Sequence, residues 1–225
     1  RGLLRGDAHQ EVIRVAENVP LAGLTTLGVG APARFYVEAH SREELLEALA
    51  EARSREVAAM LLGGGSNLCV SDRGLDRFVI RYRAAEVTLG EVGDAVLVSA
   101  DAGERWDQLV ALSVEHGLAG LECLSGIPGN VGATPIQNVG AYGQEVSDSL
   151  EYVEAIDLET LSPRIFTAGE LELGYRDSIL KRALRGRFAI TKVGFRLRRG
   201  APAAPQCAEL GRTMAELTAR EKDRI

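Results

Sequence analysis

Two glycine-rich segments have the residue types best suited to binding an anionic, flat ligand. The first reads Leu-Leu-Gly-Gly-Gly-Ser-Asn over residues 61–67. Consecutive glycines let several backbone N–H groups converge on phosphate oxygens, and Ser66 and Asn67 add polar side chains. The spacing fits neither the Rossmann nor the P-loop pattern. The segment is interpreted as a diphosphate cradle of another fold, with a tight strand-to-strand turn as the alternative.

The second segment covers residues 125–143 and contains five glycines and two prolines among small and apolar residues. This composition is unlike that of an exposed loop, so the segment is predicted to be buried. Irregular buried backbone needs hydrogen-bond partners, and a flat ligand with polar edges, such as an isoalloxazine ring, would supply them. A packed internal loop without a ligand is the alternative.

A third segment, Gly174-Tyr-Arg-Asp-Ser-Ile-Leu-Lys181, places an arginine between a tyrosine and an aspartate. Taken alone, it is typical of a surface turn with an ion pair. The three histidines share no metal-ligand spacing, so no metal site is predicted.

Alternating and periodic apolar residues predict a mixed α+β architecture around these segments. Ser41 and Glu44 form a capping-box pattern at the start of a helix, and residues 107–116 predict a second helix that ends before Gly117. The predicted strands cover residues 33–39, 57–62, 79–82, 87–89, 96–99, 152–158, 164–167 and 188–197. The first glycine segment therefore begins where a strand ends.

Composition narrows the class of protein. The chain has 225 residues, 46% of them apolar, which is enough for a core, and its net charge of −6 has no clustered cations. Binding to nucleic acid or to an anionic membrane is therefore not expected. Three widely spaced cysteines indicate no disulfide framework, and no stretch resembles a signal peptide or a membrane span. A cytoplasmic protein is predicted.

Both ends of the sequence look cut, so the chain is interpreted as a possible fragment. Residues 201–205 read as a proline-rich linker, and residues 208–225 have helical composition. The predicted organisation is a domain over residues 1–200 with a subdomain boundary near 83–86, followed by a linker and the first helix of another domain over 201–225.

Five groups of motifs together resemble the UDP-N-acetylenolpyruvoylglucosamine reductase (UDP-N-acetylmuramate dehydrogenase) family in order and approximate spacing. They are Asn18-Val-Pro-Leu with Thr25-Thr-Leu-Gly-Val-Gly30, Leu62-Gly-Gly-Gly-Ser-Asn67, Gly120-Leu-Glu with Gly126-Ile-Pro-Gly129, Pro135-Ile-Gln-Asn-Val-Gly-Ala-Tyr-Gly143, and Gly174-Tyr-Arg-Asp-Ser178. The resemblance implies the two-subdomain FAD-binding fold of the vanillyl-alcohol oxidase type, followed by the start of a third, substrate-binding domain.

The resemblance also implies a reaction. In that family NADPH reduces non-covalently bound FAD, and the reduced flavin transfers hydride to an enolpyruvyl ether of UDP-N-acetylglucosamine, which makes UDP-N-acetylmuramate for peptidoglycan. By resemblance, Arg176 stabilises the developing negative charge, and Tyr142, Tyr175 and Arg176 bind the substrate. The implied FAD-binding residues are Gly63, Gly64, Gly65, Ser66, Asn67, Gly126, Ile127, Pro128, Gly129, Gly132, Ala133, Gln137, Asn138 and Gly140. A monomer that binds only small molecules is implied.

The chain departs from the family pattern in two respects. The family's proton-donating serine and a later glutamate lie in a domain whose motifs are absent from this sequence. Some members have a substrate-contacting tyrosine after the last strand of the flavin part, whereas residues 205–210 contain none and Cys207 stands near that place. Two alternatives therefore stay open: an FAD-binding fragment without complete catalysis, and another flavin oxidoreductase on the same fold.

Overall fold

A computed structural model describes residues 13–200, which form two large sheets with helices packed against them and a third sheet of two short strands at 140–141 and 144–145. The predicted linker and helix over 201–225 lie outside the described residues. The strands are β1 (Ala16–Pro20), β2 (Pro32–Ala39), β3 (Ala59–Leu62), β4 (Leu75–Tyr82), β5 (Val87–Val92), β6 (Ala95–Asp101), β7 (Leu118–Ala119), β8 (Gly140–Ala141), β9 (Gln144–Glu145), β10 (Leu150–Asp157), β11 (Pro163–Thr167) and β12 (Phe188–Arg199). The α-helices are α1 (Arg42–Ser54) and α2 (Trp106–Glu115).

The first sheet has the strand order β1-β2-β4-β3 and packs against α1. Strands β2 and β3 both run parallel to β4, so α1 connects β2 to β3 on one face of the sheet. Ser41 Oγ accepts a hydrogen bond from the Glu44 N–H at 3.2 Å, which caps α1. The side chains of Leu45, Ala48 and Leu49 are buried on the inner face of the helix. This unit places the 63–67 segment directly at the end of β3.

The second sheet has the order β11-β10-β12-β6-β5, with antiparallel pairs throughout, and β7 pairs with β12 outside this path. The long central strand β12 is covered on both faces over most of its length, since residues 189–191, 193–195 and Leu197 are buried. Helix α2 packs on this sheet through Trp106, which is 1% exposed and whose ring centroid lies 5.8 Å from that of Phe195 of β12, with the two rings tilted by 60°. The 125–143 segment follows α2 and β7 along this sheet.

The predicted elements are present, with shifted ends. Strand β3 begins at Ala59 and not at Val57, because the Val57 N–H instead bonds the Ala52 carbonyl at the end of α1. Strand β1 was not predicted from the sequence. The sequence of β1 lacks the apolar alternation that marks a strand, because most of its residues are exposed. It also contains Asn18 at a φ of 55°, which is not a strand conformation.

Candidate cofactor site

The 63–67 segment lies against the loop that precedes β2. Gly65 has a φ of +68°, and a Cβ atom at this position would lie 2.0 Å from the Leu24 carbonyl oxygen. The Gly65 carbonyl also accepts a hydrogen bond from the Thr26 N–H at 3.1 Å. Only glycine fits here, because both the backbone conformation and the space exclude a side chain.

The same segment meets the second glycine segment directly. A Cβ atom on Gly64 would lie 3.1 Å from Gly129 Cα and 3.0 Å from Asn130 Oδ1. Ser66 Oγ donates to the Pro128 carbonyl at 3.4 Å, across 62 residues of sequence. The two segments predicted to bind one ligand are therefore adjacent in space.

Backbone N–H groups at this junction have no protein acceptors within the described part of the chain. They belong to Gly63, Gly64, Gly65, Ser66 and Asn67 in the first segment and to Ile127, Gly129 and Asn130 in the second. N–H donors clustered on two adjacent loops are the kind of donor set that can bind a diphosphate. The residues present thus fit an anionic group at the junction.

Two cavities adjoin the junction, and each is lined by residues of both segments. The first, of about 650 Å³, includes Gly64 and residues 126–130. Its wall carries Arg81, Arg83 and Arg105 alongside Glu104 and Asp107. Within residues 13–200, neither Arg83 nor Arg105 forms an ion pair shorter than 4.0 Å. This cavity is suited to a polar, anionic ligand part.

The second cavity, of about 710 Å³, includes Asn67 of the first segment and Ile136 and Gln137 of the second. Its other lining residues are mainly apolar, with the cations Arg77, Lys181 and Arg185 and no carboxylate. The lining residues are Ala59, Met60, Leu61, Asn67, Arg77, Ile136, Gln137, Leu158, Leu180, Lys181, Leu184, Arg185, Gly186, Phe188 and Ile190. An apolar cavity with cations suits a flat, electron-rich group.

The start of the second segment is anchored by Asp107, in the first turn of α2. Asp107 Oδ1 accepts hydrogen bonds from the Gly126 N–H at 2.6 Å and from Ser125 Oγ at 2.9 Å. These bonds, the one from the Gly126 N–H above all, hold the pKa of the Asp107 carboxyl below its usual value. The helix end and the ligand-facing loop are thereby connected.

We expect Asp107→Ala to lower the thermal unfolding temperature at neutral pH and to weaken FAD binding, because residues 125–126 lose their anchor. Since the pKa of Asp107 is depressed by folding, its contribution is present above the unfolded pKa and is lost as the pH falls through the folded pKa. The unfolding temperatures of the wild type and of Asp107→Ala should therefore become equal at acidic pH. Asp107→Asn, which keeps a neutral acceptor, should show an intermediate loss with less pH dependence, and a loss that is constant with pH would contradict this account.

The prediction that the whole 125–143 segment is buried was wrong in part. Val131, Thr134, Pro135, Asn138, Val139 and Gly140 are buried, whereas Ser125, Gly126, Pro128, Ala133, Ile136, Tyr142 and Gly143 are exposed. The buried part is fixed by protein partners: the Gly132 N–H bonds the Ala102 carbonyl at 3.0 Å, and a Cβ atom on Gly132 would lie 2.5 Å from Ala102 Cβ. The small residue Gly132 is therefore needed for packing against Ala102, at the end of β6.

Arg176 lies beside the second segment. It occupies a tight turn in which Gly174 and Asp177 exchange backbone hydrogen bonds at 3.0 and 3.1 Å. Its guanidinium donates to the Gly140 carbonyl at 2.7 Å, and its own carbonyl accepts from Lys181 Nζ at 2.6 Å. Arg176 has no acidic partner among the described residues, because Asp177 pairs with Arg182. The exposed guanidinium is thus held in place by backbone and remains a free positive charge.

A family model described as an FAD-binding domain matches residues 33–160, which is more than half of the chain. The chain belongs to this family of FAD-binding domains. The match includes the 63–67 segment, most of the 125–143 segment and the junction between them.

The motif resemblance stated above is confirmed by relatives. The chain is 46% identical over 196 residues to UDP-N-acetylenolpyruvoylglucosamine reductase of Saccharopolyspora erythraea, a match that covers 86% of this chain and 53% of the relative. The solved structure of that reductase from Thermus caldophilus is 33% identical, with a TM-score of 0.67, and the match covers 93% of this chain and 70% of that one. The chain spans about half the length of the curated relatives it matches.

More distant solved structures share the fold alone. Cholesterol oxidase from Brevibacterium sterolicum aligns with a TM-score of 0.58 at 12% identity, over 88% of this chain and 40% of that one. The two-subdomain α+β fold of the vanillyl-alcohol oxidase type expected from the sequence is therefore confirmed, and the start of a third domain lies outside the described residues.

Several residues at the site were not singled out from the sequence. The first cavity is lined by Arg81 of β4, by Arg83 in the segment after β4, and by Arg105, which directly precedes α2. No common sequence motif contains these three arginines. Asp107 is visible in the sequence only as an acidic residue in the first turn of a helix. Tyr175 and Tyr142, predicted to contact substrate, are 86% and 52% exposed, on the two segments that Arg176 connects.

Membrane-spanning helices and clusters of metal ligands can be assessed for residues 13–200. No helix there is both long enough and apolar enough to cross a membrane. No group of three or more metal-ligating side chains is present in that part of the chain, whose cysteines, Cys69 and Cys123, are unpaired thiols.

Proposed function

We propose that this chain binds FAD non-covalently along the junction of the two glycine segments. The observation that carries the proposal is the set of backbone N–H groups without protein acceptors where Gly64 and Gly129 meet. In this arrangement Gly63, Gly64, Gly65, Ser66 and Asn67 hold the diphosphate. A cavity on each side of the junction is available for one of the two ring systems of a dinucleotide.

The second segment contributes the remaining contacts in this proposal. Gly126, Ile127, Pro128 and Gly129 line the arginine-containing cavity, and Gln137 lines the apolar one. In this proposal the backbone at Gly132, Ala133 and Gly140 also contacts the ligand, and Gly132 and Gly140 hold that backbone against Ala102 and Glu145, where a Cβ atom would not fit. The side chain of Asn138 is the exception, since it faces protein partners.

We further propose that the complete protein reduces UDP-N-acetylenolpyruvoylglucosamine to UDP-N-acetylmuramate with NADPH, for peptidoglycan synthesis and hence for cell shape and division. When bound, the flavin supplies the hydride. Arg176 stabilises the negative charge that develops on the substrate, because a fixed guanidinium without an acidic partner keeps its full charge and four N–H groups for this purpose. The exposed phenols of Tyr142 and Tyr175 provide substrate contacts on either side of it.

The domain division remains a proposal. A boundary near 83–86 is supported by the end of β4 at Tyr82 and the start of β5 at Val87, because the two sheets share no strand. We propose a cytoplasmic monomer, which is supported by the unpaired thiols of Cys69 and Cys123.

We expect the purified complete protein to show a flavin spectrum and to release all of its colour on acid precipitation, because neither glycine segment contains a histidine or a cysteine that could attach the ring. Adding NADPH should bleach the spectrum, and adding the enolpyruvyl nucleotide should restore it without oxygen. Protein that takes up no FAD would refute the binding proposal. Flavin retained in the denatured pellet would refute non-covalent binding, and recovery of the spectrum only with oxygen would identify an oxidase.

A further inference from the structure

Asn138 is a fully buried polar residue whose side chain has no contact left for a ligand. It is 0% exposed and adopts a φ of 43°, a left-handed conformation that asparagine tolerates better than most residues. Its Nδ2 donates to Glu145 Oε2 at 2.8 Å and to the Gly174 carbonyl at 3.0 Å, and its Oδ1 accepts from the Ser147 N–H at 2.9 Å. The amide therefore has a protein partner for each of its two N–H bonds and for its oxygen.

The bond to Gly174 has a specific consequence for Arg176. Gly174 opens the turn that carries Arg176, and Arg176 donates to Gly140, two residues after Asn138. The turn is thus connected twice to the 138–140 segment, once through its backbone and once through the guanidinium. Glu145 and the Ser147 N–H fix the orientation of the Asn138 amide, so that its second N–H points at Gly174.

We propose that Asn138 is a positioning residue that sets the place of Arg176 relative to the bound flavin and substrate. This inference rests on the proposed function, and it replaces the cofactor-binding role that the sequence suggested for the Asn138 side chain. In this proposal the 138–140 segment adjoins the flavin and also holds the turn that carries Arg176. A displacement of that segment would therefore displace Arg176 as well. Misplacing a reacting group by about 1 Å can cost on the order of 10²-fold in rate.

The test uses the complete holoenzyme and the variant Asn138→Asp, which keeps the shape, the acceptor for Ser147 and the tolerance for a left-handed backbone. It removes both N–H donors. We expect flavin reduction by NADPH to change by less than about 3-fold, while flavin reoxidation by the enolpyruvyl nucleotide slows by at least ~10-fold, as expected for a displaced arginine. Both rates are measured by stopped-flow absorbance of the flavin.

A double variant separates positioning from simple loss of structure. In Asn138→Asp with Glu145→Gln, the glutamine amide can donate to the new carboxylate, so the bond within the second segment is restored with reversed polarity and the bond to Gly174 is not. We expect the unfolding temperature to recover while reoxidation stays slow. Thr134→Val, which loses one buried hydrogen bond in the same segment without contact to Gly174, is the control for stability.

The outcomes are distinguishable from failure of the proposed function. Wild-type protein that lacks FAD or does not reduce the enolpyruvyl nucleotide refutes the proposed function itself. If wild type is active, equal slowing of both half-reactions in Asn138→Asp, or recovery of reoxidation in the double variant, overturns the positioning role. Asn138→Gly, which accepts the φ of 43° without strain, repeats the test if the aspartate variant is poorly soluble. If neither Asn138→Asp nor Asn138→Gly gives folded protein while Thr134→Val remains soluble, the positioning role is also overturned, and Asn138 is a purely structural residue.

Discussion

Replacing Arg176 with lysine is expected to slow flavin reoxidation by the enolpyruvyl nucleotide by on the order of 10²-fold or more, while flavin reduction by NADPH changes little. The guanidinium uses one N–H group on the Gly140 carbonyl, and in the proposed role its other N–H groups contact the substrate. A lysine ammonium is a point charge without this planar fork, so it cannot hold the same backbone oxygen and stabilise substrate charge in the same geometry.

The measurement is stopped-flow spectroscopy of the two half-reactions in the complete protein. Arg182→Lys is the matched control, because Arg182 lies six residues further along the chain and pairs with Asp177 and with Glu172 at 2.8 Å. We expect that control to leave both half-reactions unchanged. If Arg176→Lys slowed both half-reactions equally, Arg176 would instead shape the flavin site or the fold.

Local elements of this fold follow from local sequence. Ser41 and Glu44 predict the start of α1 because the capping bond forms within one turn, between Ser41 Oγ and the Glu44 N–H. Gly117 predicts the end of α2, where its φ of +65° is a conformation that glycine adopts readily. Both signals depend only on residues a few positions apart. Strand β1 escaped prediction because pairing with β2, and not its own composition, makes it a strand.

The glycine segments illustrate what a pattern can and cannot predict. Their composition indicated backbone that approaches a ligand closely, but not that Gly64 packs on Gly129, because no local rule sets which distant loops meet. The assumption that small and apolar residues mean burial failed at Ala133 and Ile136, which are exposed. The motif resemblance found Arg176, whereas its restraints at Gly140 and Asn138 required the tertiary structure.

Charge at the site also escaped the sequence. The net charge of −6 gave no sign of a basic region. The fold gathers Arg81, Arg83 and Arg105 from separate elements at one cavity, and Arg77, Lys181 and Arg185 at the other. In an acidic protein a local cationic surface arises through tertiary packing, whereas composition gives only the total charge of the chain.

Gly65→Ala is expected to cause the largest loss of fold stability and of FAD binding among single substitutions in the first segment. The φ of +68° costs an alanine roughly 1–2 kcal/mol. A Cβ atom 2.0 Å from the Leu24 carbonyl oxygen must also push the 24–26 loop away, and such overpacking typically adds about 1–3 kcal/mol. For a chain of this size, a total near ~3 kcal/mol corresponds to a fall of roughly 10 °C in unfolding temperature.

Gly63→Ala is the matched control, because a Cβ atom at Gly63 meets nothing within 4 Å and its φ is not left-handed. We expect its unfolding temperature without FAD to equal that of the wild type. The close contact in Gly65→Ala should also shift the backbone N–H groups of residues 64–66, so FAD affinity should fall even at temperatures where the variant is folded. Differential scanning calorimetry and flavin-fluorescence titration give the two quantities. Equal unfolding temperatures for the two variants would contradict the close approach of Gly65 to Leu24, and full FAD affinity in folded Gly65→Ala would show that the diphosphate is held elsewhere.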